Sequence, residues 1–214
     1  MPSSSVLAKI RDKARTSPDK IFATFNGEGL SFRALDESSD RIAAGLRRMG
    51  IARGGRVACM MRNSPFVVSA LFGMAKAGAV WVPVNVQLKL DGLRHIIEHS
   101  EPAAILCDPD LLPVIGECGA RLDGIAVVAA RDWSDLGPGA AADGPAFFGE
   151  PFPEAEAPFA IMYTSGTTGP AKGVIVSHAM MRRAVDAVAM LSDARDGDVM
   201  FMWEPLYHSG GAQM

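Results

Sequence analysis

The sequence predicts an α/β fold, a mostly parallel sheet covered by helices, and three observations point there. Short apolar runs alternate with amphipathic stretches from residue 5 to about residue 130. The segment holding Phe66, Val67, Val68, Leu71, Phe72 and Met74 is apolar nearly all round, so its helix needs cover on every side. Further on, Phe159-Ala160-Ile161-Met162 and Val174-Ile175-Val176 read as short strands on either side of a loop rich in Gly and Thr.

In chain order, Val6, Leu7 and Ile10 set among charges predict a helix over 5–16, ended before Pro18. Ile21–Phe25 reads as a strand and Asn26-Gly27-Glu28-Gly29 as turn material. Ser31 caps the next helix, whose apolar face is Leu35, Ile42, Leu46 and Met49, and Gly50 ends it in the left-handed conformation. Arg56–Met61 is a strand. Ser64 and Pro65 then open the apolar helix, Gly78 stops it, and Val80–Val84 is again a strand. Asp91 is expected to cap a short helix holding Leu93, Ile96 and Ile97. Ala103–Cys107 is a strand, a helix follows near Leu111–Gly119, and Ile125–Ala129 is another strand.

The composition then changes. Residues 131–158 are rich in Ala, Gly, Pro and acids and read as a long surface connection, pinned to the body by Phe147, Phe148 and Phe152. After the Gly/Thr loop and its second strand, Ser177 caps a helix to about Leu191. Asp196-Gly197 turns the chain into an expected strand, Val199–Trp203, and Pro205 opens a loop. The organisation is therefore a first α/β part over 1–130, the connection over 131–158, and a loop-bearing segment over 159–214.

A chain of 214 residues suits one substantial domain, and 49% apolar residues suit a globular one. A net charge of −3 gives no electrostatic case for nucleic acid or an anionic membrane. No run approaches the roughly 18 apolar residues that span a bilayer, and the N-terminus lacks the basic-then-apolar pattern of a signal peptide. Cys59, Cys107 and Cys118 are widely spaced and form no paired metal motif. They read as buried free thiols, which places the chain in the cytoplasm.

The chemistry concentrates in Met162-Tyr163-Thr164-Ser165-Gly166-Thr167-Thr168-Gly169-Pro170-Ala171-Lys172-Gly173-Val174. Glycines let the backbone turn and bring its N–H groups close to a ligand, and a run of such donors suits anions. Thr164, Ser165, Thr167 and Thr168 add hydroxyls, and Lys172 adds a compact charge that suits phosphate. The Walker A pattern is not met, since Ala171 precedes Lys172 and Gly173 follows it. A ligand-free Gly/Thr hairpin needs neither four hydroxyls nor a lysine, so the loop reads as a polyphosphate cradle, most economically for the triphosphate of ATP.

This loop resembles the signature of the adenylate-forming superfamily: acyl-CoA synthetases, aryl-CoA ligases, peptide-synthetase adenylation domains and luciferases. The proline stands one place early, at Pro170. Lys76-Ala77-Gly78-Ala79-Val80-Trp81-Val82-Pro83-Val84-Asn85 is similar to an early element of that family. Pro205-Leu206-Tyr207-His208-Ser209-Gly210-Gly211 is similar to its aromatic-His-Gly element beside the acyl pocket. The resemblance implies the N-terminal part of the layered large domain of these enzymes, in the acyl-CoA synthetase branch. Its activity is attack of a carboxylate on the α-phosphate of ATP, with transfer of the acyl group to CoA. Carried over by position, Thr164, Ser165, Gly166, Thr167, Thr168, Gly169 and Lys172 grip the phosphates and Thr164 helps to hold Mg²⁺. Lys172 and His208 are the catalytic candidates, and Tyr207, His208, Gly210 and Gly211 face the acid substrate.

The resemblance also implies family elements beyond Met214, among them adenine, ribose and CoA contacts, so the chain alone is expected not to turn over. Two alternatives stay open. One is a truncated, non-catalytic phosphate-binding module that self-associates as a homo-oligomer through bare surfaces; the other is an aryl-CoA ligase or adenylation domain of the same superfamily. His95-Ile96-Ile97-Glu98-His99 fits a zinc-peptidase pattern but reads as an exposed helix face. Lys76 reads as a cation at its helix C-terminus, Arg182 and Arg183 as a solvated face, and the methionines as core filler.

Overall fold

The computed structural model describes residues 5–136, 153–164 and 169–213. The expected Phe147, Phe148 and Phe152 anchors lie outside those residues, as do Ser165, Gly166, Thr167 and Thr168.

Helix α1 (Val6–Thr16) is capped by Ser5 and followed by the hairpin β1 (Ile21–Phe25) and β2 (Glu28–Ser31). Asn26 and Gly27 both take positive φ, 49° and 87°, which makes the tight two-residue turn that Asn-Gly favours. The turn is thus two residues shorter than expected, and Glu28 and Gly29 belong to the strand. Helix α2 (Phe32–Arg48) starts at the Ser31 hydroxyl, which accepts from the Ala34 N–H at 3.2 Å. Helix α3 (Pro65–Ala77) is capped by Ser64 and stopped by Gly78 at φ 72°, as the sequence predicts.

One six-stranded sheet carries the fold, in the order β6-β5-β3-β4-β7-β8. Strands β3 (Arg56–Met60), β4 (Val80–Pro83), β5 (Ala104–Cys107) and β6 (Ala126–Ala129) are parallel, and β7 (Pro158–Tyr163) joins β4 in the same sense at Trp81↔Ala160. The last strand, β8 (Gly173–Ser177), returns antiparallel to β7. Because side chains alternate along a strand, Val57 and Cys59 pack with Ile42, Leu46, Ala70 and Met74 on the α2/α3 side. Ala58 and Met60 pack on the other face with Ile96, Ile97 and Ile115 of α4 (Leu90–Ser100) and α5 (Leu112–Glu117). Gly73 lets α2 approach α3, since a Cβ there would lie 2.7 Å from the Cβ of Ile42.

Several sequence expectations need correction. Helix α4 begins at Leu90 with Lys89 at the cap position and no capping side chain; Asp91 sits in the first turn and pairs with Arg94 at 2.8 Å. Val199–Trp203 forms no strand, because no neighbouring backbone among the described residues is in register to accept it. Lys76 is not a dipole cap. Its ammonium is buried against Asp36 Oδ1 at 2.6 Å, Asp40 Oδ1 at 2.8 Å and the Asp36 carbonyl at 2.9 Å, joining α3 to α2. Met60, Met61, Met74 and Met181 are core, whereas Met180, Met190 and Met200 are exposed. All three cysteines are buried and free, and burial pushes the Cys59 thiol up to about 12 and Cys107 to about 11. Among the described residues no helix is long and apolar enough to cross a membrane.

Candidate active site

Parallel α/β sheets bind ligands beyond the carboxyl ends of their strands, and the loop predicted from sequence leaves the sheet at that edge, from the end of β7. Its two stems are tied together. The Thr164 N–H donates to the Lys172 carbonyl at 3.0 Å, and the Lys172 N–H donates to Thr164 Oγ1 at 3.2 Å. Gly169 takes φ 150°, and Lys172 is exposed and makes no ion pair among the described residues. The backbone pairing sets the exposed Lys172 side chain at the foot of the loop, and an exposed ammonium with no described carboxylate on it is a group that fits a polyanion.

A cavity of about 630 Å³ opens beside this loop, between it, the end of β4 and helix α4. Thr164, Gly169, Tyr207 and His208 all line it, so the structure brings the expected phosphate-loop and acid-facing residues to one place. The Tyr207 and His208 rings stand 5.0 Å apart, with Tyr207 half-buried and His208 exposed. Lys172, Gly210 and Gly211 are not in the lining. The space that side chains at Gly210 and Gly211 would need is filled by the Glu204 carboxylate and the Pro205 backbone at the start of α7 (Ser209–Gln213).

The structure also brings in residues that the sequence reading did not assign to this site. Asn63, just past β3, donates from Nδ2 to the Glu204 carbonyl at 3.0 Å and accepts the Leu206 N–H at Oδ1, 2.8 Å. Its amide thus mimics a peptide unit and fixes the loop that carries Tyr207 and His208. On the helix face read as exposed, His99 is exposed and His95 half-buried, and both reach the neighbouring hairpin. His95 Nε2 lies 2.8 Å from the Ala171 carbonyl and His99 Nδ1 lies 2.7 Å from the Tyr163 hydroxyl, both at the phosphate loop. Among the described residues no group of three His, Cys, Asp or Glu side chains is placed to hold a metal ion. The four-residue spacing of the histidines was the visible signal; for Asn63 there was none.

The sequence model of AMP-binding enzymes matches residues 10–214. The chain belongs to the AMP-binding enzyme family. Among relatives of this AMP-binding chain is the fatty acid–[acyl-carrier-protein] ligase ScoC of Streptomyces coeruleorubidus. It is 32% identical over 205 residues, covering 92% of this chain and 38% of that protein. The medium/long-chain-fatty-acid–CoA ligase FadD6 of Mycobacterium tuberculosis is 28% identical, covering 96% of this chain and 34% of its own. The chain therefore spans about a third of the length of these curated relatives. ATP-bound MatB from Rhodopseudomonas palustris superposes with a TM-score of 0.83 at 27% identity, covering 97% of this chain and 41% of that one. The N-terminal domain of FACL13 from Mycobacterium tuberculosis gives 0.82 at 27% identity, covering 98% and 53%. The α/β architecture is thus that of the N-terminal domains of adenylate-forming enzymes.

Proposed function

We propose that this AMP-binding chain is the nucleotide-gripping part of an AMP-forming acid–CoA ligase, which activates a carboxylate with ATP to an acyl adenylate and passes the acyl group to CoA. The observation that carries the proposal is the shared cavity: Thr164 and Gly169 of the phosphate loop face the same space as Tyr207 and His208. A nucleotide tail and a carboxylate held there are neighbours, and positioning of that kind is the main protein contribution to such a transfer.

Thr164, Ser165, Gly166, Thr167, Thr168 and Gly169 hold the β- and γ-phosphates, and Lys172 offsets charge on the leaving pyrophosphate. Thr164 would be the protein contact for Mg²⁺, which would supply further charge neutralisation when bound. Tyr207 and His208 form the wall against the acid. Residues 1–130 and 159–214 are proposed as successive parts of one large domain joined by the connection 131–158. Buried free thiols support a reducing, cytoplasmic setting.

Calorimetric titration with MgATP tests the reading. The chain is expected to bind MgATP, and Lys172→Ala to weaken binding by about 10- to 100-fold, the equivalent of one charged hydrogen bond, with unchanged thermal stability. Acid-dependent ATP–pyrophosphate exchange is expected to be absent from the 214-residue chain alone. A second reading, a self-associating module without catalysis, draws on Val199, Phe201 and Trp203, which are 95%, 85% and 74% exposed. Light scattering that gives a monomer at high concentration rejects it.

A further inference from the structure

Helix α4 presents two imidazoles to the phosphate hairpin, one to each limb. His95 reaches the β8 limb at the Ala171 carbonyl, 2.8 Å away, and His99 reaches the β7 limb at the Tyr163 hydroxyl, 2.7 Å away. Helix and hairpin are similar in spacing, since residues four apart rise about 6 Å along a helix and paired strands lie about 4.8 Å apart. The two rings are correspondingly 5.4 Å centre to centre. A carbonyl oxygen only accepts, so His95 Nε2 carries the hydrogen. Gly173 completes the arrangement. A Cβ there would lie 3.3 Å from the Tyr163 ring and 2.8 Å from Ile161, so glycine lets the tyrosine cross over β8 toward His99.

We propose that His95 and His99 are positioning residues that clamp both stems of the phosphate loop to helix α4, holding the Thr164 and Lys172 ends of the cradle at a fixed height above the sheet. His95 also lines the cavity and His99 does not, so amide exchange in the ligand-free chain, rather than MgATP affinity, reads the clamp itself. The two Thr164–Lys172 bonds join the stems to each other, and the clamp ties that closed unit to the first half of the chain. The proposal rests on the nucleotide reading for its purpose but not for its geometry.

The test uses the 214-residue chain with amide hydrogen exchange, MgATP calorimetry and imidazole ¹⁵N spectra. In the ligand-free chain, His95→Leu is expected to speed exchange at the Thr164 and Lys172 amides about tenfold and to weaken MgATP about tenfold, the equilibrium weight of one hydrogen bond. His95→Gln, which keeps a donor, is expected to restore both to within about twofold, and the wild-type spectrum is expected to show His95 protonated at Nε2. His99→Leu is expected to speed exchange at the same amides. Because the Tyr163 hydroxyl also meets Ser100, the double variant is compared with Tyr163→Phe alone and is expected not to exceed it. The clamp is overturned if His95→Leu leaves those amides unchanged, if Gln behaves as Leu does, or if exchange rises equally across the whole sheet. Failure of the wild type to bind MgATP sinks the nucleotide reading instead, while the exchange measurements still decide the clamp.

Discussion

The two halves of the sheet are built to different standards. Every residue of β4 and β5 is buried, as are four of the five in β3, and helices cover both faces. Beyond β7 the cover thins: β8 exposes Val174 and Ile175, α6 (His178–Leu191) buries only Met181, and 192–201 is exposed throughout. Burial is concentrated in the first half, whereas the proposed chemistry hangs from the second. The loop proposed to grip phosphate is carried by the more exposed half and steadied by helix α4 of the other.

Mutations distinguish the halves. The largest effect is expected at Lys76→Ala, which strands Asp36 and Asp40 in the α2/α3 interface and should cost about 3–5 kcal/mol in urea unfolding, nearer the lower figure because Arg11 stays on Asp40 at 2.8 Å. Leu106→Ala in β5 is expected to cost about 3 kcal/mol through the cavity it leaves, against about 0.5 kcal/mol or less for the exposed Ile175→Ala in β8. Equal losses at these two sites would break the contrast. The smallest effect is a pH dependence within the second half. Burial holds the His178 imidazole below its ordinary value, and its Nε2 has no hydrogen-bond partner among the described residues. The unfolded chain therefore binds that proton more readily, so this contribution is complete above about pH 6.5 and declines as pH falls toward the folded value. The urea midpoint is expected to drop between about pH 7.5 and 5.5, and His178→Phe to flatten the drop.

Local signals were enough for much of the fold. Ser31, Ser64 and Ser177 cap helices where hydroxyls precede apolar periodicity, Gly78 stops one, and the strands flanking the phosphate loop lie where the apolar runs placed them. What failed needed a partner distant in sequence. Val199–Trp203 has a strand's composition but no ladder, and Lys76 finds its carboxylates on another helix. The same holds at the site. The proposed donors around Thr164 and Lys172 stand out because they are contiguous in sequence, whereas Asn63 has no local signal and the spacing of the two histidines does not reveal the loop residues they meet across the fold.

The path of the chain through the sheet has a temporal consequence. After β4 the polypeptide travels outward through β5 and β6, then comes back to lay β7 against the edge that β4 had left open. A ribosome releases the chain amino end first, so the four parallel strands can settle while the proposed nucleotide loop is still unsynthesised. During that interval β4 presents an unpaired rim, a place where nascent chains can stick to one another. The proposed triphosphate site thus arrives late in the birth of the molecule, with the same event that covers the open edge of β4.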